Sequence, residues 1–310
     1  MSMTLDRRGF LHMGGLAVAG LGLPAALRAQ APAARPEAEV AGSLLLRLGY
    51  HMRDVDATAR FWTTLGATRA EVDGATVMRL GGIEVVLSKG TPTASSDGSV
   101  VNHIAFRVPE FDTLAQAFKD AGMRTERNPQ FPETLNAFTP DGDKVEIFNN
   151  MSTSPGFKPA GPSNDTAWQR HNAPVGSLSG HHLHFYVPEG QDVAAQAWYL
   201  ARFGGTPGIR LRYAAIDYPG INLNFSSAAT PGPTAPTAGR SLDRVGFRVR
   251  GLEALCRHIA STGTSFSRAF ARSREGVASA LLVDPWGTTI ELTEQRDGAV
   301  VNRTLAGRAQ

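Results

Sequence analysis

With only one cysteine, Cys256, the 310-residue chain cannot form an intramolecular disulfide, so packing alone must hold its fold together. That cysteine lies in a helix-like run, 252–261, and reads as a buried, inert thiol. Charge of one sign is also lacking. Lys and Arg number 31 against 28 Asp and Glu, and the arginines are scattered, so no nucleic-acid surface is expected. Nor is there a run of about 20 apolar residues fit to span a bilayer stably. With 42% hydrophobic and 19% charged residues the composition is that of a globular protein, and the length predicts two domains.

The N-terminus reads as a leader. Arg7-Arg8-Gly9-Phe10-Leu11 precedes an apolar stretch, 14–27, that is broken by Gly and Pro, and Ala29-Gln30-Ala31 is a small-x-small cleavage site. This pattern resembles a twin-arginine export signal spanning 1–31. It implies a periplasmic or secreted mature chain, the twin-arginine export machinery as a partner, and export of an already folded protein, often with its cofactor. Without the leader the net charge of +3 falls to about +1.

Two stretches, 43–150 and 178–297, alternate strand and helix patterns, and the Pro/Gly/Ser/Asn-rich segment 151–177 reads as their linker, with 298–310 as a tail. In the first stretch, 44–51 is strand-like and 55–65 has helical apolar spacing closed by Gly66. Three short strands, 67–72, 76–80 and 83–88, follow across Asp73-Gly74 and Gly81-Gly82 turns. The pattern restarts with strand 101–108, helix 111–121 and a closing strand 144–148, and 178–297 repeats both halves. Asn102-His103-Ile104-Ala105-Phe106-Arg107-Val108 can be laid over Asp243-Arg244-Val245-Gly246-Phe247-Arg248-Val249, and Thr139-Pro140-Asp141-Gly142 over Val283-Asp284-Pro285-Trp286-Gly287. The expectation is an α+β protein of four βαβββ units, paired two by two around cups.

At these residues the chain resembles the vicinal oxygen chelate superfamily, which includes glyoxalase I, extradiol dioxygenases, fosfomycin-resistance proteins and bleomycin-binding proteins. Asn102-His103-Ile104-Ala105-Phe106 and His182-Leu183-His184-Phe185-Tyr186-Val187 look like unit-opening strands, and Val145-Glu146-Ile147 and Ile290-Glu291-Leu292 look like closing ones. The resemblance implies two tandem domains, each a curved mixed sheet with helices outside. It also implies metal-ligand slots on the first and last strands of each unit. Those slots are Arg47, Glu84, His103 and Glu146 in the first domain, and His182, Asn222, Arg244 and Glu291 in the second.

Imidazole and carboxylate oxygens from different strands can converge on one divalent ion and leave positions open for substrate. The expected ligands are therefore His103, Glu146, Glu84, His182 and Glu291, holding Fe, Mn, Zn or Ni. Guanidinium cannot coordinate a cation, so Arg47 and Arg244 break one slot in each domain and become, with Asn222, substrate-binding candidates. His184 and Tyr186 are candidates for a general base and an orienting hydroxyl, and His181 is expected on the opposite strand face. The implied function is an exported metalloprotein with one working site, acting on a small molecule with vicinal oxygens by isomerase, lyase or ring-cleaving dioxygenase chemistry. The alternative is a non-catalytic small-molecule-binding protein, in which Arg47 and Arg244 serve an anionic ligand.

Overall fold

The computed structural model describes residues 45–72, 74–129, 131–149, 156–160, 176–227, 234–273 and 276–294. The leader, most of the linker and the tail lie outside the described residues. Strand β1 (Leu45–Met52) ends just before Asp54, whose carboxylate accepts from Ala57 N at 2.8 Å and caps helix α1 (Val55–Thr64). Gly66, at φ 108°, releases the chain from that helix into β2 (Thr68–Val72), β3 (Ala75–Leu80) and β4 (Ile83–Lys89). The second unit is β5 (Val101–Val108), α2 (Phe111–Asp120), β6 (Thr125–Asn128), β7 (Phe131–Phe138) and β8 (Lys144–Asn149). A short strand absent from the sequence expectation, β9 (Phe157–Pro159), lies within the linker and pairs with the third unit.

That third unit is β10 (Ser179–Val187), α3 (Asp192–Phe203), β11 (Thr206–Arg210), β12 (Tyr213–Tyr218) and β13 (Ile221–Ser227). The fourth is β14 (Leu242–Val249), α4 (Leu252–Ser261), β15 (Phe266–Arg272), β16 (Ala278–Val283) and β17 (Thr289–Glu294). Every unit is thus βαβββ, as the repeats predict. Cys256 is buried in α4, and burial pushes its thiol up to about 11, as an inert packing residue requires.

The units pair differently from the sequence expectation. One sheet has the order β15-β16-β17-β14-β1-β4-β3-β2 and the other β6-β7-β8-β5-β10-β13-β12-β11-β9. The first unit therefore shares its sheet with the fourth, and the second with the third. Two segments, residues 90–100 after β4 and residues 234–241 before β14, run side by side and explain this. They bond to one another through Thr93 N to Gly239 O, Ala235 N to Gly98 O, Val100 N to Ala235 O and Ser241 N to Ala94 O, at 2.9 Å each. Buried Asp143 secures the same pairing, accepting from Ser96 N, Thr139 Oγ1 and Ser241 Oγ.

Alternation then sorts each strand's side chains. Leu46, Leu48, Tyr50, Ile104, Phe106, Leu183, Phe185, Val245 and Phe247 enter one buried cluster that also takes the helix residues Phe61, Trp62, Phe118, Tyr199 and Phe203. Trp62 of α1 meets Phe106 of the nine-stranded sheet at 6.3 Å, and Phe203 of α3 meets Phe247 of the eight-stranded sheet at 5.0 Å. The polar residues of β1, β5, β10 and β14 consequently face away from the helices. No helix among the described residues is long and apolar enough to cross a membrane.

Gly180 is closely surrounded by the Gly220 turn of its own sheet and by Ile83 of the other. A Cβ there would run into the Gly220 carbonyl oxygen and lie 3.1 Å from both Ile221 Cδ1 and Ile83 Cδ1. Gly180→Ala is expected to lower unfolding free energy by about 1–3 kcal/mol, measured by denaturant titration of metal-free protein. An unchanged midpoint would mean that the Gly220 turn and Ile83 yield to the added methyl group without cost.

Candidate metal centre

At the middle of the nine-stranded sheet β5 and β10 run antiparallel, with His182 opposite Ala105 and His184 opposite His103. Strand β8 lies parallel to β5 and sets Glu146 beside Ala105. Paired residues share a sheet face, so three strands bring two imidazoles and a carboxylate to one spot. His103 Nε2 is 3.3 Å from Glu146 Oε2 and 3.4 Å from His182 Nε2, and His182 Nε2 is 3.7 Å from the same carboxylate oxygen.

Ligand bonds of roughly 2.1 Å around one ion put donor atoms about 3.0–3.4 Å apart, close to these separations. Ligand atoms of His103, His182 and His184 also fall within 4.8 Å of one another. The set with Glu146 is tighter, and His184 Nε2 is already bonded to Ser226 Oγ at 2.5 Å. The trio is therefore His103, His182 and Glu146. The side chains of His103 and His182 are 2% and 6% exposed and that of Glu146 18%, so solvent reaches the trio on the carboxylate side.

Burial holds both imidazoles below their usual range, His182 further than His103, which leaves neutral rings. Burial also opposes ionisation of Glu146, but His103 and Lys144 beside it keep the carboxyl well below the ordinary carboxylate range. Two neutral imidazoles and one carboxylate are the forms a divalent ion takes as ligands.

Neighbouring side chains aim the trio. The Asn102 amide donates to Asp97 Oδ1 at 3.2 Å, so its oxygen faces His103 Nδ1 at 2.7 Å and takes that ring's proton as a hydrogen bond, leaving a lone pair on Nε2. His182 is held through His181, against the expectation that His181 would point to the other face. A register shift between Gly180 and His182 places His181 Nδ1 2.7 Å from His182 Nδ1, with the His181 ring stacked on Phe148. Arg210 NH1 donates to His181 Nε2 at 2.9 Å, which puts the His181 proton on Nδ1, directed at His182. His182 then carries its one proton on Nε2, toward Glu146 and His103, so to hold an ion through Nε2 as a neutral ring it would need that proton on Nδ1 and the His181 donor turned away.

Asn222, opposite His182 on β13, occupies the fourth slot. Its oxygen accepts from Arg210 Nε at 3.1 Å and NH2 at 2.5 Å, and its amide donates to Asp217 at 3.2 Å, so its oxygen serves Arg210 rather than an ion. His184 stacks on Tyr186 at 4.8 Å and 7° and meets Tyr213 edge-on at 4.8 Å. Sequence reasoning missed Asn102, His181 and Arg210. Only the bulge in β10 and the placement of β11 beside β12 bring the last two to the site, and neither carries a sequence signal.

The other expected slots regroup in the eight-stranded sheet. Arg47 pairs with Gly246 and Glu84, Gly49 with Arg244, and Gly246 with Glu291. Matching registers makes Arg47 the counterpart of His182, Arg244 of His103, Glu84 of Asn222 and Glu291 of Glu146. Glu84 and Glu291, expected as ligands, are instead ion-paired. Glu84 meets Arg47 Nε at 3.3 Å, Arg79 Nε at 3.2 Å and Arg248 NH2 at 2.8 Å, and Glu291 meets Arg244 NH1 at 3.3 Å. Arg47 and Arg244 thus leave the His-bearing trio intact, because they lie in the other cup.

No family model matches the chain, and no curated protein matches it. Among solved structures it is similar to glyoxalase I from Zea mays, at 17% identity and TM-score 0.54, covering 81% of this chain and 92% of that one. A candidate dioxygenase from Bacillus subtilis matches at 13% identity and TM-score 0.54, covering 81% of this chain and 84% of that one. With the four βαβββ units and the strand-borne slots, these likenesses identify the architecture: the chain has the vicinal oxygen chelate fold.

Proposed function

We propose that the His-bearing cup holds one iron or manganese ion and that the chain is an oxygenase of small aromatic molecules with adjacent hydroxyls. The observation that carries this reading is the convergence of His103 Nε2, His182 Nε2 and Glu146 Oε2 within 3.3–3.7 Å. Two imidazoles and one carboxylate on one side of an ion are the donor set of non-haem iron oxygenases, which favours oxygenation over isomerase or lyase chemistry. Bound there, the metal supplies Lewis acidity toward paired oxygens and one-electron chemistry toward dioxygen.

The chain's own residues divide the remaining work. Burial and nearby His103 hold His184 well below its usual range, so its neutral ring orients a substrate hydroxyl by hydrogen bonding. Burial and the neighbouring Tyr213 push Tyr186 up to about 12, so it keeps its proton and donates a hydrogen bond. The rings of His184, Tyr186 and Tyr213 form an aromatic wall for a flat substrate. Lys144 Nζ, 3.7 Å from Glu146 Oε1, and Arg212, 5.4 Å from the Tyr213 ring, add positive charge at the mouth. With 1–31 taken as a twin-arginine leader, the working compartment is the periplasm or beyond.

The test is elemental analysis of protein expressed with iron and manganese present, together with oxygen uptake on adding catechol. About one metal per chain and catechol-dependent uptake are expected. Absence of metal, with melting temperature and catechol binding indifferent to added Fe, Mn, Zn or Ni, would leave the non-catalytic binding protein as the reading. Bound metal without oxygen uptake would return isomerase or lyase chemistry to the front.

A further inference from the structure

We infer that the arginine-rich cup of the eight-stranded sheet is a second ligand site, separate from the metal centre, for a small organic dianion bearing carboxylate or phosphate groups. Its residues stand at the positions that build the metal centre in the other sheet, with Arg47 and Arg244 where that sheet has His182 and His103. Glycine makes the substitution fit. Gly49 occupies the place of His184, and a Cβ there would lie 2.5 Å from Arg244 Cγ, so the bare backbone leaves room for the arginine stem.

The charges of this cup do not balance internally. Arg47, Arg79, Arg244, Arg248 and Arg268 are joined by ion pairs to Glu84, Glu291 and Asp243, with His51 Nε2 3.9 Å from Asp243 at the edge. Among the described residues, five guanidinium groups against three carboxylates leave two positive charges in excess. A network serving only to stiffen the sheet has no need of that excess, since like charges crowded on one face repel.

The loose end of the network marks where a ligand sits. Arg47, Arg79 and Arg248 close on Glu84 at 2.8–3.3 Å, whereas Arg244, Arg47 and Arg268 surround Glu291 at 3.3, 3.9 and 3.9 Å. All three latter distances exceed the about 2.7–2.9 Å of a charge-assisted hydrogen bond, so donor capacity remains. The side chains of Arg268 and Arg244 are 53% and 30% exposed, which opens these donors to solvent. Guanidinium forks match carboxylate and phosphate oxygens two at a time, and two surplus cations match two negative charges.

The experiment titrates metal-free protein with malonate and with inorganic phosphate by calorimetry at low ionic strength, with sodium chloride at matched ionic strength as the screening control. Saturable binding of one anion per chain is expected for malonate, phosphate or both. Arg268→Gln, at a half-exposed position, is expected to weaken it about tenfold, the loss of one charge-assisted hydrogen bond. Arg268→Lys recovers part of the loss, and His103→Ala leaves the titration unaltered. The inference is overturned if neither anion saturates up to about 10 mM, beyond millimolar affinity. It is equally overturned if chloride reproduces the heat, if Arg268→Gln binds like the parent, or if His103→Ala abolishes binding. Because the protein is metal-free throughout, these outcomes leave the oxygenase reading untouched.

Discussion

His103→Ala and His182→Ala are each expected to lose the bound metal, with affinity falling about 100-fold or more, since even neighbours that only orient ligands are worth 10–100-fold. Their positions in sequence lie in different halves of the chain, yet their Nε2 atoms are 3.4 Å apart over one carboxylate oxygen. Equal loss is therefore the signature of one shared centre. Glu146→Gln should behave likewise, while Glu291→Gln, at the equivalent slot of the other cup, should retain about one metal per chain. The measurement is metal content after dialysis against a weak chelator, with circular dichroism to confirm folding. A His182→Ala protein that keeps its metal while His103→Ala loses it would sink the three-ligand assignment.

Glu84→Ala is expected to cost about 3–5 kcal/mol of unfolding free energy, because it strands a set of guanidiniums that were placed around one carboxylate. The Glu84 side chain is 5% exposed, and those of Arg47 and Arg248 beside it are 15% and 16% exposed, so water is poorly placed to take over its role. Arg79, half exposed, can turn outward, whereas Arg47 and Arg248 are largely enclosed. Pairing Glu84→Ala with Arg248→Met should return part of the loss, giving a coupling well beyond additivity. Urea titration of the two single variants and the double variant measures it. A cost below about 1 kcal/mol would mean that the network is solvated like a surface salt bridge.

Much of this protein is written locally. Asp54 and Gly66 bound the first helix, the Gly81-Gly82 turn separates two strands, and alternation along Leu46, Leu48 and Tyr50 tells which face of β1 is covered. Those signals act over a few residues, so the four units and the slot positions could be read without coordinates. His103, Glu146 and His182 were legible as candidate ligands for the same reason: each is the inward residue of a strand that opens or closes a unit.

Which units would meet was not legible. Adjacency in sequence favours the first with the second, but backbone hydrogen bonds between the segments at Thr93, Gly98, Ala235 and Gly239 join the first to the fourth and the second to the third. These are contacts between residues more than a hundred positions apart, and no local pattern encodes them. The consequence is chemical. Read by halves, each site has one histidine spoiled by one arginine; paired as the sheets pair them, one cup gathers both histidines and the other both arginines. The bulge at His181 has the same character, since one extra residue on β10 overrides the alternation that sequence reading depends on. The sequence by itself determined four units and the faces of their strands, because turn, cap and alternation are local. Only the tertiary structure decided which four slots share a cup, because that is settled by long-range pairing.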